Sequence, residues 1–135
     1  MRRWFVACFL GGCHASIPEP PLDQRIEVSR PGDAITFAVI GDMGYAGPDE
    51  QAVAELVASW RPDLVITLGD NNYPDGAQET IDANIGQYYH AYIAPYRGRY
   101  GDGADVNRFF PTAGNHDWRS GDLAPYLQYF ELPGN

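Results

Sequence analysis

Three short polar clusters contain the residues most able to do chemistry, and they occupy positions 41–44, 69–73 and 114–117. Together they offer carboxylate, phenol, amide and imidazole groups from Asp42, Asp70, Tyr73, Asn115 and His116. Mixed nitrogen and oxygen donors of this kind suit iron, manganese or zinc. Each cluster taken alone is also ordinary turn chemistry, because Asn, Asp, Gly and Pro commonly reverse a chain. The metal-binding interpretation therefore depends on whether the three clusters meet in space.

The segments that precede the first two clusters have the pattern of buried strands. Residues 34–40 and 64–68 are continuous apolar runs, typical of strands covered on both faces. A helix is predicted between them, from near Pro48 to just before Pro62. Its apolar face comprises Val53, Leu56, Val57 and Trp60. Strand, helix and strand form a right-handed βαβ unit with parallel strands, so the carboxylates of the first two clusters are expected to be neighbours.

The rest of the chain continues the same α/β pattern. A second helix is predicted over residues 80–93, with Ile81, Ile85, Tyr88, Tyr89 and Tyr92 on its apolar side. A short strand at 108–112 precedes the third cluster, and a last helix is predicted from near Asp122. Open α/β sheets build their sites at the carboxyl ends of such strands. The first cluster lacks the G-x-G-x-x-G spacing, so no dinucleotide cofactor is expected.

Composition and charge narrow the classes of partner. The 9 basic residues, all arginine, stand against 18 acidic ones, giving a formal net charge of −9. No basic stripe is available to follow a phosphate backbone, so nucleic acid is not an expected partner. A content of 44% apolar residues with 13% aromatics indicates one folded domain instead of a disordered chain. The sequence gives no indication of oligomeric state.

The N-terminus has the residue order of an export signal. Two arginines precede an apolar run over residues 4–10 that is too short to span a bilayer. Leu-Gly-Gly-Cys at 10–13 resembles a bacterial lipobox, which implies cleavage before Cys13 and lipid attachment to its thiol. Cleavage after Ala15 would instead release a soluble protein, and a buried N-terminal strand is a third interpretation.

The expected organisation is a signal peptide at 1–12, a proline-rich tether at 13–33 and a domain at 34–135. An exported protein of this kind would be a periplasmic or cell-surface lipoprotein, or secreted. Its only expected membrane contact is the lipid anchor. Removal of the signal would leave at most one of the two cysteines, so no disulfide framework is expected.

Taken together and in order, the three clusters resemble the motifs of the calcineurin-like metallophosphoesterases, namely Gly-Asp-x-Gly, Gly-Asp-x-x-Tyr and Gly-Asn-His-Asp. The tyrosine of the second motif resembles the purple acid phosphatase type. The resemblance covers residues 35–135. It implies an α/β fold, the αββα sandwich, of which this chain would form the N-terminal half around a parallel βαβ core. Half of such a sandwich would leave an apolar sheet face uncovered.

The resemblance also implies a centre of two metal ions, Fe(III) with divalent iron, zinc or manganese. Asp42 resembles a ligand of the first metal, Asp70 the carboxylate that bridges both, and Tyr73 the phenolate on Fe(III). Asn115 resembles a ligand of the second metal, and His116 the histidine that contacts phosphate and protonates the leaving group. Candidates to orient these ligands are Asn71, Asn72, Asp75 and Asp117.

Two later family motifs, Val-x-x-His and Gly-His-x-His, do not occur in the sequence. His14 and His90 do not replace them, since His14 falls in the signal or tether and His90 on a predicted helix. The expectation is an N-terminal fragment of a longer phosphatase that is weak or inactive alone. The expected reaction is hydrolysis of a small-molecule phosphate monoester. A phosphodiesterase on the same scaffold and a non-catalytic metal-binding extracytoplasmic module stay open as alternatives.

Overall fold

The computed structural model describes residues 34–133, where three parallel strands form a sheet in the order β1, β2, β3. The strands are β1 (Phe37–Ile40), β2 (Leu64–Thr67) and β3 (Phe109–Phe110). Ile40 lies opposite Thr67 in the register. The carboxyl ends of β1 and β2 therefore meet at one edge, which confirms the predicted parallel βαβ core.

The predicted signal peptide at 1–12 and tether at 13–33, with Cys13 and His14, lie outside the described residues. Within residues 34–133, no helix is long and apolar enough to cross a membrane.

Helix α1 (Pro48–Trp60) connects β1 to β2 with the predicted bounds. Pro48 supplies a φ suited to the first turn, and the chain leaves the helix through Arg61 in a left-handed conformation with φ of 49°. Three of the four predicted apolar residues pack on the core, namely Val53, Val57 and Trp60. Only Leu56 was predicted wrongly, because it is 47% exposed. The buried residues of the helix are Glu50, Ala54 and Val57, of which only Val57 was predicted.

The predicted second helix is a run of four helical pieces. They are α2 (Gln78–Ile81), a π-helical turn (Asp82–Gly86), α3 (Gln87–Tyr89) and a 3₁₀ turn (His90–Tyr92). Ile81, Ile85 and Tyr89 are buried on its inner side, as predicted. A second 3₁₀ turn (Asp117–Ser120) then precedes α4 (Ala124–Tyr129).

The core lies on one face of the sheet. Ala38, Ile40 and Val65 point into it and join a buried cluster with residues of α1, α3 and α4. The other face carries Phe37, which is 37% exposed, and partly exposed residues from the neighbouring strands. The prediction that β1 is buried on both faces was therefore wrong, as judged from the described residues 34–133. Alternate residues of a strand point to opposite faces, and the described helices pack on only one of them.

Candidate metal centre

The first two strand-end loops turn the chain in the same unusual way. Asp42 and Asp70 each follow a glycine at the end of a strand, and each has a φ of 54°. This left-handed conformation costs on the order of 1 kcal/mol for a residue with a Cβ, although aspartate tolerates it better than most. Hydrogen bonds between the loops hold it, since Asp42 N donates to Gly69 O at 3.2 Å. Strained backbone of this kind clusters at functional sites.

Gly44 lets the two loops touch. Its N–H donates to Asp70 O at 3.3 Å, and its carbonyl accepts a hydrogen bond from Tyr73 N at 2.8 Å. A Cβ at this position would overlap the backbone carbonyl of Asn71. A larger residue at position 44 would push the loop of Asp42 away from the loop of Asp70 and Tyr73.

Three oxygen donors converge where these loops meet. The Tyr73 hydroxyl lies 3.0 Å from Asp70 Oδ2 and 3.2 Å from Asp42 Oδ1. Burial of the hydroxyl raises the pKa of Tyr73 above its ordinary value, and the adjacent Asp70 and Asp42 carboxylates raise it further. A cation bound among the three oxygens would act in the opposite sense, because positive charge favours the phenolate.

This donor set fits a hard metal ion such as Fe(III), because it consists of two carboxylates and a phenol. No group of three or more His, Cys, Asp or Glu side chains able to hold a metal ion occurs within residues 34–133. The convergence at Tyr73 contains only two residues of those four types. Its third donor is the phenol.

The third loop packs against Asp70. His116 N donates to Asp70 Oδ1 at 2.9 Å, and Gly114 is so close to Asp70 that a Cβ there would overlap it. Asn115 stands between these two residues and is exposed. The structure thus brings Asp42, Asp70, Tyr73 and His116 together and places the backbone of Asn115 beside them. Their predicted roles as ligands and catalyst stay predictions.

The imidazole of His116 is held in one orientation. Its ring lies 4.2 Å from the Tyr73 ring, centroid to centroid, and its Nδ1 lies 2.6 Å from the carbonyl oxygen of Pro74. A carbonyl oxygen only accepts hydrogen bonds, so Nδ1 carries a proton. The other nitrogen, Nε2, is then the one that can exchange a proton with a ligand.

Asn84 supports the site, although its sequence position did not predict that role. Asn84, buried in the π-helical turn, accepts a hydrogen bond from Ala46 N at 3.0 Å. Its Nδ2 donates to Tyr73 O and to Asn72 Oδ1, both at 2.8 Å. An asparagine on the apolar side of a predicted helix, next to Ile85, was the available signal. His90 Nδ1 instead lies 2.9 Å from Gly86 O within the same run of helical pieces, in agreement with its predicted place on a helix.

Comparisons with known proteins identify the family of the chain. The profile of the calcineurin-like phosphoesterase family matches residues 35–135. The chain is also 29% identical over 112 residues to purple acid phosphatase 17 of Arabidopsis thaliana, a match that covers 78% of this chain. It spans 30% of that relative's length. No solved structure matches it significantly. The family match extends over most of the chain and includes all three strand-end loops, so the chain belongs to the calcineurin-like phosphoesterase family.

Proposed function

We propose that the protein hydrolyses phosphate monoesters at a centre of two metal ions, Fe(III) with divalent iron, zinc or manganese. The observation that carries the proposal is the convergence of the Tyr73 hydroxyl on carboxylate oxygens of Asp42 and Asp70. Membership of the phosphoesterase family supports the reaction class. The similarity to a protein named a purple acid phosphatase supports the finer assignment.

The resemblance to the family supports a division of the ligands between the two ions. Asp42, Asp70 and Tyr73 would hold the trivalent ion, and Asp70 with Asn115 would contribute to the divalent one. When bound, such a pair supplies Lewis acidity that activates water near neutral pH and neutralises phosphate charge. The Asp70 carboxylate is held for this work by the third loop, because its Oδ1 accepts a hydrogen bond from His116 N.

His116 is proposed to give the leaving oxygen its proton. The departing alkoxide is a strong base and leaves more easily when an acid within hydrogen-bond reach protonates it. Pro74 O holds the Nδ1 proton, so the proton that His116 transfers is the one on Nε2 of the imidazolium form. Arg119 donates to the same Pro74 carbonyl at 3.3 Å and helps to hold that segment against the ring.

We further propose that the protein is exported and acts on small soluble phosphoesters. The lipobox-like sequence that ends at Cys13 supports an anchored form, and the alternative site after Ala15 supports a released one.

The test measures turnover of 4-nitrophenyl phosphate and bis(4-nitrophenyl) phosphate by the protein, with iron and zinc supplied. We expect metal-dependent turnover of the monoester in excess of the diester. Asp70→Asn should reduce it at least ~100-fold, because the bridging charge is lost. Asp102→Asn is the control, an exposed aspartate in the loop before β3.

The outcomes of this test separate the proposed monoesterase from the two alternative functions. Faster turnover of the diester would replace the monoesterase proposal with a phosphodiesterase. Metal-dependent melting without turnover of either ester would favour the non-catalytic metal-binding module. A protein that binds no metal would refute the proposal altogether.

A further inference from the structure

A buried polar pair, Asn71 and Asp117, adjoins the candidate metal centre in the chain. Asn71 and Asp117 are 0% and 1% exposed. Asp117 Oδ1 accepts a hydrogen bond from Asn71 N at 3.1 Å, and Asp117 Oδ2 accepts one from Asn71 Nδ2 at 2.9 Å. Oδ2 also accepts from Gly114 N at 2.8 Å. One carboxylate therefore binds the second and third strand-end loops to each other.

The network continues into the sheet. Asn71 Nδ2 donates to Thr112 O at 2.7 Å, and Thr67 Oγ1 donates to Asn71 Oδ1 at 2.5 Å. Thr67 Oγ1 in turn accepts a hydrogen bond from Thr112 N at 3.1 Å. Thr67 is the last residue of β2, and Thr112 follows β3. The pair is thereby fixed to the ends of both strands.

The pair can control the geometry of the site because its two members are adjacent in the chain to two site residues. Asn71 immediately follows Asp70, and Asp117 immediately follows His116. The hydrogen bond from His116 N to Asp70 Oδ1 also connects these two loops. A shift of either loop would therefore move the Asp70 carboxylate and the His116 ring relative to each other.

Turn formation alone does not require a carboxylate at position 117. Burying one costs several kcal/mol unless polar groups replace its water, and here three N–H groups from the two loops do so. Within residues 34–133, no arginine forms an ion pair with it. Displacing one loop would leave the charge with too few partners, so the carboxylate favours a single arrangement of both loops.

We propose that Asp117, acting through Asn71 and Gly114, is a positioning residue that sets the separation of Asp70 and His116 for metal binding and proton transfer. This inference rests on the proposed function. It predicts an effect on metal binding that exceeds any effect on folding.

The experiment uses the full chain and compares Asp117→Asn with Val57→Ala, a core substitution in α1 that also lowers stability. Binding of Zn²⁺ is measured by calorimetric titration, and the Fe(III)-loaded protein is examined for the visible band of a bound phenolate. Loss of a residue that orients ligands typically weakens metal binding ~10–100-fold. We expect a loss in that range and a shifted band for Asp117→Asn. Val57→Ala should bind Zn²⁺ within about twofold of the unmodified chain.

A second variant, Thr67→Val, tests the same inference if Asp117→Asn does not fold. Thr67→Val keeps the carboxylate and the side-chain shape but removes the hydroxyl that fixes Asn71, so it should weaken Zn²⁺ binding in the same direction by a smaller factor. Zn²⁺ affinities of both variants equal to that of Val57→Ala would overturn the positioning role. Failure of the unmodified chain to bind either metal would overturn the proposed function itself, and with it this inference.

Discussion

The buried carboxyl of Glu50 should make the stability of the fold depend on pH. Glu50 is 4% exposed in the first turn of α1. Among residues 34–133, its Oε1 and the Tyr89 hydroxyl are both buried without a hydrogen-bond partner of good geometry, although the two groups are close enough to influence each other's pKa. Burial raises the pKa of Glu50 from 4.5 to about 8, and the neighbouring Tyr89 hydroxyl offsets only part of this.

The direction in which stability changes with pH follows from the protons that the folded and unfolded states bind. Between pH 4.5 and about 8 the folded protein retains a proton on Glu50 that the unfolded chain has released. The free energy of unfolding therefore falls as pH rises through this range. At about 1.36 kcal/mol per pH unit the whole interval corresponds to at most ~5 kcal/mol. Water entry and local relaxation around the charge reduce the penalty, so ~2 kcal/mol is expected.

Glu50→Gln removes the ionisation. At pH 8.5 it should raise the free energy of unfolding relative to the unmodified protein by ~2 kcal/mol more than at pH 5, as measured by urea unfolding. Any cost of the buried amide itself is the same at both pH values and cancels in this comparison. Asp49→Asn, an exposed change in the same helical turn, is the control and should show no such difference. An equal effect of Glu50→Gln at pH 5 and pH 8.5 would refute the reasoning.

Two further predictions concern the loops of the candidate site. Gly44→Ala should lower the free energy of unfolding by ~1–3 kcal/mol and weaken Zn²⁺ binding at least ~10-fold, because the new methyl group overlaps the Asn71 carbonyl. Gly47→Ala is its control, since a Cβ there meets nothing closer than 4.0 Å and the backbone is extended. Tyr73→Phe should abolish the visible band of the Fe(III)-loaded protein while leaving the fold intact in circular dichroism. Retention of that band would remove Tyr73 from the metal centre.

The bounds of α1 could be predicted because their signals are local. Proline at position 48 suits the first helical turn, and proline at position 62 disfavours helix in the residue before it. The inward position of Glu50 and the exposure of Leu56 could not be predicted from local sequence. Periodicity placed Leu56 inside, but the buried stripe begins at Glu50, which packs beside Tyr89 from another helix. A burial that depends on a partner about forty residues away leaves no trace in the periodicity of α1.

Strand lengths and the π-helical turn were missed for the same physical reason. The apolar run at 34–40 is longer than β1, because a strand extends only as far as a neighbour pairs with it. Within the π-helical turn, the Asp82 carboxylate accepts hydrogen bonds from the hydroxyls of Tyr96 at 2.7 Å and Tyr129 at 2.8 Å. Those partners lie 14 and 47 residues further along the chain. No local pattern predicts contacts of that kind.

The candidate site also has features that local sequence predicts and features that depend on distant partners. The residue types and the edge of the sheet were predictable, because parallel strands place their following loops side by side. The buried support of Asn84 was not singled out, and Asn71 and Asp117 were only general candidates to orient ligands. Asparagine and aspartate in a loop look the same in sequence whether they face water or hold two loops together. Only the three-dimensional arrangement distinguishes the two cases.

Two features that coincide at the site are consistent with the proposed cation. The Asp42 and Asp70 carboxylates both lie within 3.2 Å of one hydroxyl, where like charges repel. Both residues also hold a backbone conformation that glycine would adopt without strain. A metal ion bound among the three oxygens would replace the repulsion between the carboxylates with attraction to the ion, and it would stabilise the folded state. The strain and the repulsion therefore support the same conclusion as the donor chemistry, although they depend on different parts of each residue.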